Sequence, residues 1–330
     1  MNLAAEVIDI GILDYPGAQA SALHGLTDMF LVANRLCAEQ GLTGAPILRV
    51  SHWALVSHWT LGGEGQVTRG FISPDGVPKS LDVVILPPSL GDPVWPESGG
   101  PLLRFLKHHH NKGTVVSSVC AGAFLLAEAG LLNGRPATTH WSLAEELQQR
   151  FPDIAVDGDK LVIDDGDIIT AGGVMAWVEM GLKIIERFIS PTIVLSVAQF
   201  FLVDPAGREQ RFYSAFAPKL THGDEAILKV QHWLQRHAMK KITLPQMAEQ
   251  ARLGERTFLR RFQHATGHNP TRYLQFLRLA KAREMLELTK QPIEQIAFRV
   301  GYEDPGAFTK LFQAQIGLTP SEYRKRFSVV

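Results

Sequence analysis

A cysteine that closes an apolar, strand-like run and opens a helix-like one is placed to act as a nucleophile, and TVVSSVCAGAFLLAEAGLL does this at Cys120. The small neighbours Ala121 and Gly122 leave room for the tight strand-to-helix turn that lifts a nucleophile to the end of a sheet. A helix N-terminus behind the sulfur favours the thiolate. Twenty residues on, TTHW supplies His140, an imidazole able to pair with the thiol. A buried structural cysteine is the plainer reading, and at this point both stand. His108-His109-His110 are consecutive on a helix end and point to different faces, so they do not make a metal site. The loop Gly62-Gly63-Glu64-Gly65 lacks the spacing and flanking helix of a nucleotide fingerprint, and there is no Walker-type loop.

The second group of chemically telling residues is a set of basic side chains inside an internal repeat. Phe258, Phe262, Gln263, Gly267, Pro270 and Tyr273 recur fifty residues later as Phe308, Phe312, Gln313, Gly317, Pro320 and Tyr323. Gln246-Met247-Ala248 matches Gln295-Ile296-Ala297 at an offset of 49, so one residue is lost in the turn between. Each copy reads as helix, short Gly-containing turn, helix: Leu244–Ala251 then Glu255–Ala265, and Pro292–Val300 then Asp304–Gln315. Two helix-turn-helix units dock side by side in the major groove of DNA. The helical run between them, Thr271–Leu288, rises about 27 Å, which suits recognition helices about one DNA turn, ~34 Å, apart.

Copy one's second helix carries Arg256, Thr257, Arg260 and Arg261. Arg256 and Arg260 share a face near its start, where a guanidinium can reach guanine O6 and N7; a solvated arginine face, or one that touches only phosphates, is the plainer reading. Copy two begins Asp304-Pro305-Gly306-Ala307, which reads base edges poorly. Lys310 and the backbone N–H groups there suit phosphate. Copy one is therefore expected to specify and copy two to position, with Lys240, Lys241, Arg299 and Arg324-Lys325-Arg326 adding general attraction.

The rest of the chain must position these groups. Its 330 residues, 45% hydrophobic and 20% charged, fit about two globular domains and exclude a disordered or fibrous chain. Charge sums to zero, yet the stretch from Asp224 to Val330 holds 18 Lys+Arg against 10 Asp+Glu, and the remainder is acidic by the same margin. A basic third on an acidic two-thirds suits a nucleic-acid-binding module joined to a sensing or catalytic domain. Strand-like runs at Val7–Leu13, Leu48–Ser57, Leu81–Leu86, Thr114–Val119 and Leu161–Thr170 alternate with helix-like ones at Ala20–Gln40, Leu102–His110, Ala121–Leu131, Trp141–Arg150 and Val174–Ile189. Such alternation predicts an α/β fold with a mostly parallel sheet covered on both faces, followed by an all-α domain. The domains are expected at 1–203 and 224–330, with a linker at 204–223. Two cysteines without metal spacing fit a reducing, cytoplasmic setting. Neither a signal peptide nor a membrane-length apolar run is expected, and no cofactor.

Residues 224–327 resemble the DNA-binding domain of AraC/XylS-family transcription regulators, most closely in PIEQIAFRVGYEDPGAFTKLFQAQIGLTPSEYRKRF. LDVVILPPSLGDP, TVVSSVCAGAFLLAEAGLLNGRPATTHW and LVIDDGDIITAGG resemble the PfpI-like, class I glutamine amidotransferase-like domain. This order of domains is that of GlxA-type regulators. The resemblance implies a flavodoxin-like doubly wound sheet and a regulator of promoter DNA. It further implies a homodimer, RNA polymerase as a candidate partner, and a small effector, of which nitrogen-containing metabolites are the precedent. It also places Cys120 and His140 on the family's nucleophile and histidine. The family's acidic residue falls on Ala22, and its glycine pair after LDVVILP is Pro88-Ser89, leaving only the Ser89 amide of the oxyanion site. The pocket is expected to be kept without its catalysis, with Cys120, His140 and Ser89 as effector-pocket candidates. Residual catalysis or redox chemistry at Cys120 stays open, as does a plain structural role. The alternatives are a cysteine hydrolase or amidase with a DNA-tethering tail, and an architectural DNA-binding protein that needs no ligand.

Overall fold

The computed structural model describes residues 6–42, 44–56, 66–73, 80–91, 100–205, 209–214 and 216–330. The chain divides into two compact units, Met1–Gln210 and Arg211–Val330, a division that falls inside the 204–223 stretch. Among the described residues no helix is long and apolar enough to cross a membrane. The Gly62–Gly65 loop and most of the Ser89–Gly100 loop lie outside the described residues.

The first unit is built on a seven-stranded sheet of order β3-β2-β1-β4-β5-β9-β8. β1 (Val7–Asp14), β2 (Ile47–Val56), β4 (Val83–Leu86), β5 (Val115–Val119) and β9 (Ile168–Ala171) are parallel. β3 (Gln66–Ser73) and β8 (Val162–Asp164) close the edges antiparallel. Counted in chain order, the five parallel strands run 2-1-3-4-5, the flavodoxin-like winding, and the order reverses between β1 and β4. Alternate side chains of β4 explain the two-sided cover: Val83 and Ile85 enter one core, Val84 and Leu86 the other. Helices α1 (Ala20–Glu39), α5 (Trp177–Phe188) and α6 (Pro191–Phe201) bury the first face. α2 (Pro101–Asn111), α3 (Gly122–Glu128) and α4 (Ala144–Arg150) bury the second. A small parallel pair, β6 (Pro136–Ala137) and β7 (Ala155–Val156), lies between α3 and β8 in the chain.

Three of the expected elements are corrected. The run Leu161–Thr170 is two strands, because Asp165-Gly166 turns the chain back on itself, with Gly166 at φ +86. The helix expected from Val174 begins at Trp177, and the one expected over Ala121–Leu131 ends at Glu128. α6 is an addition: Ser190 caps it through its hydroxyl and Pro191 opens it.

The second unit is all-helical in its described residues apart from a short 3-10 turn at its start. α7 (Glu225–His237) leads into α8 (Leu244–Ala251) and α9 (Glu255–Thr266); the 19-residue α10 (Pro270–Leu288) connects to α11 (Ile293–Arg299), α12 (Pro305–Ile316) and α13 (Pro320–Phe327). The sequence repeat is a structural repeat. α9 ends at Gly267 with φ +74 and α12 at Gly317 with φ +86, left-handed C-terminal residues that glycine adopts at least cost. Asn269 and Thr319 then cap the next helix, and Pro270 and Pro320 open it. Tyr273 packs on Phe262 with ring centres 5.2 Å apart, and Tyr323 on Phe312 at 5.5 Å. Each copy owns a core, around Phe258 and Phe262 in one and Phe308 and Phe312 in the other.

Candidate functional site

In the helical unit the second helix of each copy buries its phenylalanine stripe and turns its other face to solvent. Arg256, Thr257 and Arg260 are exposed on α9, and Lys310 is exposed on α12. Among the described residues neither Arg256 nor Arg260 has an ion-pair partner. Arg261 is spent differently. Its guanidinium holds the Asp224 carboxylate with two bonds of 2.9 and 2.7 Å, and Asp224 in turn caps α7 by accepting from the Ile227 N–H at 3.2 Å. The Arg261 guanidinium keeps that carboxyl below the usual carboxylate range. The structure therefore brings Arg256, Thr257 and Arg260 to one free surface and turns Arg261 toward α7.

In the α/β unit Cys120 and Ser89 follow the carboxyl ends of β5 and β4, where an open sheet of this winding receives ligands, and His140 is next to Thr139, whose hydroxyl bonds the Cys120 carbonyl. Cys120 follows β5 directly and sits at φ +55, a left-handed conformation rare for a side chain with Cβ and costing about 1–3 kcal/mol. Its backbone is held on both sides. Its N–H donates to the Ala171 carbonyl at 2.7 Å, and its own carbonyl accepts from the Thr139 hydroxyl at 2.8 Å. Gly122 is needed beside it, since a Cβ there would press on Leu86 and Ser118 at 3.3–3.4 Å.

The turn after β1 completes the rim. Tyr15 donates its hydroxyl to the Pro87 carbonyl, the Gln19 N–H donates to the Pro88 carbonyl at 2.7 Å, and Ala18 bridges to Ser89. Gly17, at φ +84, comes so near that a Cβ would lie 2.8 Å from the Ser89 hydroxyl oxygen. Among the described residues, Ser89 Oγ and Gln19 Oε1 are buried without a hydrogen-bond partner.

A helix-turn-helix domain model matches residues 247–326, and a DJ-1/PfpI family model matches residues 73–187. The chain joins a DJ-1/PfpI-family domain to an AraC-type helix-turn-helix domain. It is similar to the HTH-type transcriptional regulator CdhR of Pseudomonas aeruginosa, 28% identical over 226 residues that make up 68% of this chain and 66% of that protein. The HTH-type transcriptional regulator ArgR of the same species is 26% identical over 338 residues, 98% of this chain and 95% of its own length. The HTH-type transcriptional regulator GlxA of Rhizobium meliloti is 27% identical over 218 residues, 65% of this chain and 66% of that protein. The chain thus spans just under two thirds of the length of CdhR, and nearly all of ArgR.

Cys120 occupies a strand-to-helix turn of the kind that presents a nucleophile. Burial pushes the Cys120 thiol up, and that outweighs the backbone hydrogen bond from Ala121, which favours the thiolate. The thiolate expected from the helix N-terminus is therefore not what this site favours. Among the described residues no hydrogen bond joins Cys120 to His140. The His140 ring instead accepts at Nδ1 from the Ser142 N–H at 3.2 Å, lies 2.6 Å from the Ser142 hydroxyl, and stacks against Trp141. With Nδ1 accepting, the neutral ring carries its proton on Nε2, and burial lowers its affinity for a second. Ala22 is buried on α1, and Pro88 has no N–H to offer.

One residue at this site carried no signal in the sequence. Gln210, the last residue of the first unit, is buried beneath the His140 loop with its amide fully used. Its Nε2 donates to the Thr139 carbonyl at 2.7 Å, the Lys160 carbonyl at 2.9 Å and the Thr138 hydroxyl at 3.1 Å, while its Oε1 accepts from the Trp141 N–H at 3.0 Å. Gly172 makes the room, because any Cβ there would overlap the Gln210 amide. The available hint was Gly172-Gly173 after a strand, which marks close backbone approach without naming what approaches.

Proposed function

We propose that the protein is a sequence-specific, DNA-binding transcription regulator whose DJ-1/PfpI domain binds a small-molecule effector and does no catalysis. The observation that carries the reading is the three-dimensional repeat of two helix-turn-helix copies with Arg256, Thr257 and Arg260 presented unpaired on α9. Guanidinium groups at this place suit direct base readout, and Lys310 suits phosphate. The regulator names of CdhR, ArgR and GlxA agree.

The effector reading rests on the carboxyl end of the sheet. Ser89 Oγ and Gln19 Oε1 are buried polar atoms with no partner among the described residues, and a bound molecule would supply one. In this reading Cys120 and His140 serve as pocket wall rather than as machinery. Ligand-linked change in DNA affinity then follows if the two states of the protein hold the effector unequally. Promoter DNA, a second copy of the chain and RNA polymerase are the partners this reading implies, in the cytoplasm.

The test is binding of the purified protein to its own upstream DNA across a salt series, wild type beside Arg256→Ala/Arg260→Ala. Each lost base contact is worth about 1–3 kcal/mol, so the double variant is expected to lose about 10² or more in specific affinity while keeping non-specific binding. Salt-sensitive binding with no sequence preference in the wild type would overturn the regulator reading and leave the basic unit as a tether.

A further inference from the structure

The two apolar cores of the helical unit meet at one side chain. α10 gives Tyr273, Leu274 and Leu277 to the first core and Leu279, Ala282, Met285 and Leu286 to the second. Arg278 falls at the changeover. Its Nε donates to the Ala238 carbonyl at 2.8 Å and its Nη2 to the Lys240 carbonyl at 2.9 Å, closing the end of α7 just ahead of the first helix-turn-helix. The same guanidinium lies against the turn of the second copy. Its carbon is 5.6 Å from the centre of the Tyr302 ring, and a Cβ on Gly301 would come within 2.9 Å of it.

The repeat sharpens this. Gly301, at φ +91, stands at the place that Arg252, at φ +54, occupies in copy one. In copy one that backbone position carries a side chain, Arg252 itself. Glycine at 301 therefore answers the close approach of Arg278 as well as the positive φ.

We propose that Arg278 is a positioning residue for DNA binding: it clasps the loop ahead of the first helix-turn-helix to the turn of the second and so fixes the base-pair spacing that α9 and α12 address together. The proposal rests on the DNA-binding reading. A 19-residue helix spans about 28 Å and sets the distance between the copies, but it bends and twists, and small rotations move its far end along the DNA. A planar guanidinium bonded to two carbonyls and stacked on a ring resists that rotation. Among the described residues no carboxylate pairs with Arg278. A half-buried arginine that spends itself on main-chain carbonyls is engaged with the fold and does not reach for phosphate.

Other contacts also join the copies. Lys241 pairs with Glu303 at 3.1 Å, but both are almost fully exposed and the pair is screened by water. Phe216 packs on Tyr273, while Arg283 holds the Phe212 and Ser214 carbonyls. Removing Arg278 is therefore expected to loosen the pair of copies without parting them.

The experiment enriches a binding site for the full-length wild-type protein from random duplex DNA, then compares that site with versions carrying one base pair inserted or removed between the two contacted segments. The wild type is expected to lose about 10-fold or more in affinity on either change, the size of a lost base contact. Arg278→Ala is expected to bind the original site about 10-fold more weakly, to discriminate spacing by less than about 3-fold, and to keep the wild-type salt slope. Arg278→Lys keeps the charge, loses the two-carbonyl geometry, and is expected to follow Ala; it decides the matter if the Ala variant does not fold. Lys241→Ala is expected to keep full spacing discrimination. Unchanged discrimination in both Arg278 variants overturns the clasp, and so does uniform weakening with the salt slope reduced by about one, which would make Arg278 a phosphate ligand. A wild type that enriches a site but ignores spacing overturns the clasp alone. A wild type that enriches nothing overturns the DNA-binding reading and the clasp with it.

Discussion

Cys120 holds a left-handed turn between β5 and α3, and its chemistry is set by what covers the sulfur. Its place between strand and helix was legible from TVVSSVCAGAF, because an apolar β-branched run ending in small residues admits few other local geometries. The structure adds the strained φ of +55 that such a turn demands. The protonation of the sulfur was not legible. It depends on how completely other segments cover it, and burial outweighs the backbone hydrogen bond from Ala121. The same is true of His140, whose partner proves to be Ser142 two residues away, a local bond that the Cys–His spacing conceals. In a Cys37→Ser background, alkylation of Cys120 by iodoacetamide at pH 7 is expected to be at least about 10-fold slower than that of free cysteine, since thiolate fraction and access both fall. Mass spectrometry of timed samples reads this out. A rate above that of free cysteine would restore the hydrolase reading.

At the scale of elements, periodicity and punctuation gave most of the second unit, because each copy states its boundaries twice. Gly267 and Gly317, then Pro270 and Pro320, bracket the same turn chemistry fifty residues apart. The α/β unit was harder where a turn hides inside an apolar run. Leu161–Thr170 contains Asp165-Gly166, a hairpin signal that β-branched neighbours masked. That hairpin is pinned by Asp167, which accepts from Arg135 at 2.7 and 3.2 Å and faces His110 Nε2 at 2.7 Å. Its pairing with Arg135 holds the Asp167 carboxyl at about 2, below the ordinary 3.8. A carboxylate held low in the folded state contributes stability that is present in full above about pH 4 and is lost as pH falls through about 2. The urea midpoint of the wild type is therefore expected to drop between pH 4 and pH 2 by more than that of Asp167→Asn. Parallel midpoints for the two proteins over that range would show that the ion pair contributes nothing, as exposed pairs often do.

For the whole molecule, charge asymmetry and the change from alternating to all-helical pattern both pointed to two parts, and each part proves to own its apolar cores. What composition could not show is that the helical unit is itself double, with one core per copy on a shared α10. Ownership of cores has an energetic consequence. Phe262 is fully buried in the first helix-turn-helix core, and its truncation to alanine removes an aromatic side chain that only that core can miss, a loss of about 3–5 kcal/mol. Mutational effects on separate cores add rather than couple. In calorimetry of the full chain, Phe262→Ala is expected to lower or abolish the transition of the helical unit while the transition of the α/β unit stays in place. Phe124→Ala, buried among α3 and the second face of the sheet, is expected to do the reverse. DNA binding should then fall with the first substitution and persist with the second at temperatures where the helical unit is folded. If either substitution shifts both transitions together, the two units fold as one cooperative body, and the separation of cores does not carry through to stability.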